Sequence, residues 1–136
     1  MTRVPVRVRY SETDRMGVAY HAHYLVWFEM ARTELMREAG CTYREVEDHD
    51  GILFPVIQVG ARYLRSARYD EQLEVVARLT SVGRARVRFD YELRRVDGGA
   101  PLASGFTAHA AVGRDGRPTG IPAEVRRRLQ SRESSE

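Results

Sequence analysis

Residues 22–40, AHYLVWFEMARTELMREAG, constrain this chain more than any other stretch. Tyr24, Phe28, Ala31, Leu35 and Ala39 recur at the i, i+4, i+7 spacing of one helical face. Leu25, Val26, Trp27 and Met30 widen that stripe until the first half is apolar nearly all round. Such a helix is buried on most sides rather than laid on a surface, so the rest of the chain has to wrap it. Glu29, Thr33 and Arg37 leave only a narrow polar strip, and Gly40 is placed to end the helix. The apolar run is too short and too interrupted by charge to span a membrane, so no stable membrane insertion is expected.

The wrapping material is strands. Val4, Val6, Val8 and Tyr10 alternate with Arg3, Arg7 and Arg9, which predicts a half-buried strand over 3–10, with Pro5 at an edge or strand start. Strand character returns over 53–64, with Gly60 as a possible bulge, and again over 72–82 up to a tight turn at Gly83. From Arg84 to Arg94 the alternation is unbroken, with Ala85, Val87, Phe89, Tyr91 and Leu93 inward; VDGGAP then signals a hairpin. A last strand, 102–112, is rich in small residues that would let another surface approach, so self-association is expected. Residues 41–51 make a connection or a short helical turn. Pro122 starts a tail helix of about two turns, followed by a polar, frayed end at 131–136. The order reads as α+β: one antiparallel sheet wrapped around one long helix, a single domain over 1–136.

Charge and cysteine exclude several functions. The net charge is +3, too small and too dispersed to argue for nucleic acid. All 22 basic residues are arginine, which favours bidentate phosphate recognition wherever a basic cluster meets a ligand. The single cysteine, Cys41, excludes an internal disulfide and a cysteine-based zinc cluster, and reads as a small packed residue. His21 and His23 lack a third ligand at suitable spacing, so no metal is expected. With no secretory or lipidation motif, a cytoplasmic location is the expectation.

The chemistry concentrates in TDRMGVAYH, residues 13–21. Asp14 is a lone carboxylate in the loop before the helix, and Gly17 offers either a special backbone geometry or close approach. Free N–H groups and the positive end of the helix dipole sit at His21, Ala22 and His23, a ready oxyanion site. A carboxylate close to such a site reads as an acyl-transfer apparatus. On position alone, Asp14 reads first as a turn or helix cap. His21 offers its backbone N–H, its imidazole, or both. Tyr20 and Tyr24 read as pocket walls, His49 as a solvated loop residue and His109 as a hydrogen-bonded sheet residue. Arg65, Arg68, Arg84, Arg86 and Arg88 are candidates for phosphate, against the alternative of a solvated strand face.

Tyr10, Thr13-Asp14, Gly17-Val18, Tyr20-His21, Tyr24 and Glu29-Ala31-Arg32 together resemble the hotdog-fold acyl-CoA thioesterases. Within these the match is to the 4-hydroxybenzoyl-CoA thioesterase family, which includes the Tol–Pal-associated enzymes. YLRSARYDEQLEV, residues 63–75, resembles the family's second characteristic stretch. The resemblance implies hydrolysis of an acyl-CoA to free acid and coenzyme A, which is part of the substrate; no cofactor is implied. It makes Asp14 the nucleophile or general base and the His21 N–H the carbonyl polariser. Gly17, Val18, Tyr20, Tyr24, Arg65 and Arg84 are then the substrate-binding candidates. It further implies a site between two subunits of a homodimer, which can pair into a homotetramer. A hotdog hydratase or dehydratase using His21 or His109, and a non-catalytic acyl-CoA-binding module, are the alternatives.

Overall fold

A computed structural model describes residues 1–134. Five strands form one antiparallel sheet: β1 (Thr2–Arg7), β2 (Val56–Tyr63), β3 (Gln72–Val82), β4 (Arg86–Arg95) and β5 (Ala103–Ala110), in the order β1-β3-β4-β5-β2. Alternation decides which face is covered. Val6 pairs with Leu73, Ala77 with Tyr91, and Phe89 with Thr107, so these side chains share the inner face. Over that face lies α1 (Ala22–Glu38), which buries Tyr24, Trp27, Phe28, Ala31, Leu35 and Met36. Pro5 is tolerated because β1 is an edge strand, paired only with β3. At the other edge, β2 pairs only with β5.

Several expectations are corrected. The first strand stops at Arg7, and Tyr10 lies in a short turn and is 78% exposed. The β2 bulge falls at Ile57, between Val56 and Gln58, not at Gly60. Gly60 is needed for a different reason: a side chain there would overlap the Phe106 ring. Two expected elements are present: the helical turn in 41–51 is α2 (Tyr43–Glu45), which runs into a wider turn at Val46–Asp50, and the tail helix is α3 (Ala123–Gln130). Val26 and Met30 on α1 stay 50% and 43% exposed, so the helix is not covered on all its apolar sides within one chain. Nor does the tail fray at once: Ser134 N–H donates to the Leu79 carbonyl at 2.7 Å. Arg128 and Arg132 reach the Gly40 and Glu38 carbonyls, where cations suit the negative end of α1. The rest of the expected frayed end, 135–136, lies outside the described residues.

Candidate active site

The loop before α1 is a built turn. Asp14 N–H donates to the Val18 carbonyl at 2.9 Å, and Gly17 N–H donates to the Asp14 carbonyl at 3.0 Å. Closing so tightly puts Gly17 at φ +78°, a conformation that favours glycine, while the space beside it is open. Gly17 is therefore required by backbone geometry and not by close approach. The Asp14 carboxylate accepts the Met16 N–H through Oδ1 at 2.8 Å. It thus caps the turn, and the second carboxylate oxygen remains available to a ligand.

Behind the loop sits a residue that the sequence reading missed. Glu12 is only 4% exposed. Its carboxylate accepts the Arg9 N–H at 2.7 Å and the Trp27 indole N–H at 3.0 Å. Burial opposes its charge, but those two donors and the Arg9 guanidinium outweigh burial and hold its pKa below the ordinary value. Tyr20 N–H donates to the Glu12 carbonyl at 2.8 Å, so both ends of the loop are tied to one residue. A carboxylate two positions before Asp14 gave no periodic signal, and only its pairing with the sole tryptophan could have pointed to it.

Asp14, Val18, His21, Tyr24 and Arg65 meet in one open cleft of about 300 Å³ with Met16 and Tyr63. The two sequence stretches that carried the resemblance close on each other here. Val18 bridges Arg68, and Ala19 N–H donates to the Ala67 carbonyl at 2.7 Å. Tyr24 is buried, accepts the Ala67 N–H at 3.0 Å and stacks on Trp27. Burial pushes its phenol up, so it is a wall rather than an acid. Tyr63 stands over the helix start, its hydroxyl donating to the His21 carbonyl at 3.3 Å and its ring 5.2 Å from that of Tyr24. Among the described residues, neither the His21 N–H nor the Ala22 N–H has an acceptor. These orphan donors at the helix start give the cleft its capacity to hold negative charge.

Other candidates fall elsewhere. Tyr20 packs on His21 and His23, 4.6 and 6.2 Å away, and does not line the cleft. Arg84 lies in the β3–β4 turn, at the opposite end of the sheet from Asp14, where its carbonyl accepts the Ile121 N–H. Arg88 is committed to Asp90 at 3.1 Å and to the Phe106 ring. Arg65 is exposed at the cleft, with one N–H on the Pro101 carbonyl at 3.0 Å. His109 is fully buried, with both ring nitrogens engaged, by the Phe54 carbonyl and the Thr107 hydroxyl. Burial pushes its pKa down to about 4, so it is neutral near pH 7. Burial also pushes the Cys41 thiol up to about 11, which makes it a poor nucleophile.

This geometry agrees with what the chain is similar to. A family model described as the thioesterase superfamily matches residues 16–102. The chain belongs to that superfamily; Asp14 stands just before the matched span. The acyl-CoA thioesterase YbgC of Haemophilus influenzae is 37% identical over 91 residues, covering 67% of each chain. YneP of Bacillus subtilis is 41% identical over 71 residues, which span 52% of this chain and only about half, 51%, of YneP. The hypothetical protein TT1821 from Thermus thermophilus superposes with a TM-score of 0.91 at 35% identity, covering 98% of this chain and all of that one.

Proposed function

We propose that this chain is a hotdog-fold acyl-CoA thioesterase, one domain whose sheet wraps α1 as its central helix. One observation carries the reading: the Asp14 carboxylate shares its cleft with His21, whose N–H is unpartnered. A thioester carbonyl oxygen placed against the His21 and Ala22 N–H groups would gain charge stabilisation as the tetrahedral intermediate forms. Asp14 then acts in one of two ways. As general base it takes a proton from water, whose oxygen attacks the carbonyl carbon; the C–S bond breaks and coenzyme A leaves as thiolate, to be reprotonated. As nucleophile it attacks directly, and water hydrolyses the resulting mixed anhydride. Both routes leave a free acid and the thiol. Arg65 at the rim suits the phosphates of coenzyme A. Similarity to the Haemophilus acyl-CoA thioesterase supports the substrate class.

A homodimer or homotetramer belongs to the same proposal, as does a cytoplasmic location. Val56, Ile57, Val59 and Tyr63 on the edge strand β2 are 43–50% exposed, and Val26 and Met30 of α1 are uncovered as well. A second copy would bury this strip. The test is free-thiol release from short, long and aromatic acyl-CoAs. Thiol release from at least one supports hydrolysis. Binding without release would favour a carrier module, and a change in acyl unsaturation with no thiol would favour a hydratase.

A further inference from the structure

Tyr63 makes a contact in the cleft that the hydrolysis described above leaves unused. It is the last residue of β2, in register with Ala103 of β5. Directly after it the Leu64 and Arg65 N–H groups both donate to the Leu102 carbonyl, at 2.9 and 3.0 Å. The strand end is thereby pinned, and the ring enters the cleft from a fixed point. It meets the rings of His21 and Tyr24 edge-on, with centroids 5.7 and 5.2 Å away. Edge-to-face is a favoured arrangement of aromatic pairs. Tyr24 is a firm wall to lean on, since it is buried, stacked on Trp27 and bonded to the Ala67 N–H. So held, the Tyr63 hydroxyl donates to the His21 carbonyl at 3.3 Å.

That carbonyl is one half of the peptide group between His21 and Ala22. The other half is the Ala22 N–H, one of the two donors at the helix start that lack an acceptor among the described residues. A hydrogen bond accepted by the C=O draws electron density from the N–H across the conjugated group and makes it a stronger donor. The Tyr24 N–H gives the same carbonyl a first bond, at 3.1 Å, from the helix's own first turn. The Tyr63 bond is a second one, and it comes from the sheet. Helix ends fray, so a tie to a separate element restrains the plane of this peptide and the direction in which its N–H points.

We propose that Tyr63 is a positioning residue for thioester hydrolysis: through the His21 carbonyl it orients and polarises the peptide whose N–H receives the substrate oxygen. This deepens the thioesterase reading above and rests on it. The substrate oxygen carries little charge in the bound thioester and nearly a full charge in the tetrahedral intermediate. A strengthened donor therefore lowers the barrier more than it tightens binding. Loss of the hydroxyl should accordingly appear in kcat and not in KM.

The test is Tyr63→Phe, which keeps both ring contacts and removes only the hydroxyl of a residue that is 44% exposed. With benzoyl-CoA and decanoyl-CoA as substrates, kcat should fall roughly three- to tenfold, the rate equivalent of one neutral hydrogen bond. KM and the melting temperature should stay with the parent's. A second readout needs no turnover. The same two acyl-CoAs, isotope-labelled at the carbonyl carbon, are bound to Asp14→Asn and to Asp14→Asn/Tyr63→Phe, and the thioester stretch is recorded by infrared difference spectroscopy. Donation to the oxygen weakens the C=O bond, so the band lies below its solution frequency in the single variant and moves back toward it in the double. Coincident bands in the two variants overturn the proposal. So does a kcat equal to that of an active parent, or a raised KM with kcat kept, which would make Tyr63 a pocket wall. A lower melting temperature with both readouts unmoved assigns the hydroxyl to stability alone and overturns it equally. If the parent releases no thiol from any acyl-CoA, the thioesterase reading fails; the band comparison does not depend on that result and decides the Tyr63 claim by itself.

Discussion

Glu12→Gln should loosen the loop that carries Asp14, and its cost can be worked from the contacts. Two donors converge on the buried Glu12 carboxylate, the Arg9 N–H at 2.7 Å and the Trp27 indole at 3.0 Å. The Gln amide offers one acceptor oxygen in the same volume, so one donor loses its partner and faces an NH₂ group. The surviving bond loses its charge assistance. With about 1.5–3 kcal/mol for a charge-assisted bond and about 1 for a neutral one, the net loss is ~3 kcal/mol. Glu12 is 4% exposed, so solvent screening does not soften that figure. A domain of this size should then melt roughly 10 °C lower. Trp27 is the only tryptophan, so its fluorescence reports the broken bond directly. The pH dependence has a definite sign. The folded pKa lies below 4.5, so this stabilisation is complete above pH ~4.5 and is lost as pH falls through the lowered folded value. The gap between parent and variant should therefore close on acidification. A melting temperature within ~2 °C of the parent, with unshifted Trp27 emission, would refute the reasoning.

Three further outcomes are expected. Gly17→Ala meets open space but must hold φ +78°, which costs ~1 kcal/mol; thiol-release kinetics should suffer more than the melt, because the turn aims Asp14. Gly105→Ala would bring a Cβ to 2.7 Å from both the Gly60 carbonyl and the Phe28 ring; thermal melts should record a loss of at least ~1–3 kcal/mol. His109 has a folded pKa of about 4 against an ordinary 6.5, so the unfolded chain protonates first. Stability measured in denaturant should fall as pH drops from 6.5 toward 4, and His109→Gln should lose that dependence.

Period alone carried most of the architecture. The 72–82 strand coincides with β3 because its alternation faces a covered side, and the Tyr24–Leu35 spacing located the buried face of α1. Alternation misled at Tyr10, where a turn tied down by Glu12 takes over from the strand. The Asp14 loop was legible because a glycine and a carboxylate at fixed spacing imply a turn, and Gly17 indeed holds a positive φ. Arg84 could not be separated from Arg65, since strand patterning does not say which end of a sheet a residue occupies.

Asp14→Asn tests the central claim most directly. The amide oxygen can still accept the Met16 N–H that Oδ1 accepts at 2.8 Å, so the turn should remain closed. What is lost is the charge that attacks the thioester or takes a proton from water. Thiol release by the purified variant, measured alongside its melting temperature and its Kd for an inert thioether, should show kcat lowered by ~10²–10⁴, with stability and affinity close to the parent. A variant that releases thiol within a factor of a few of the parent, or one that loses stability but keeps its rate in the folded fraction, would reduce Asp14 to a turn cap and contradict the account.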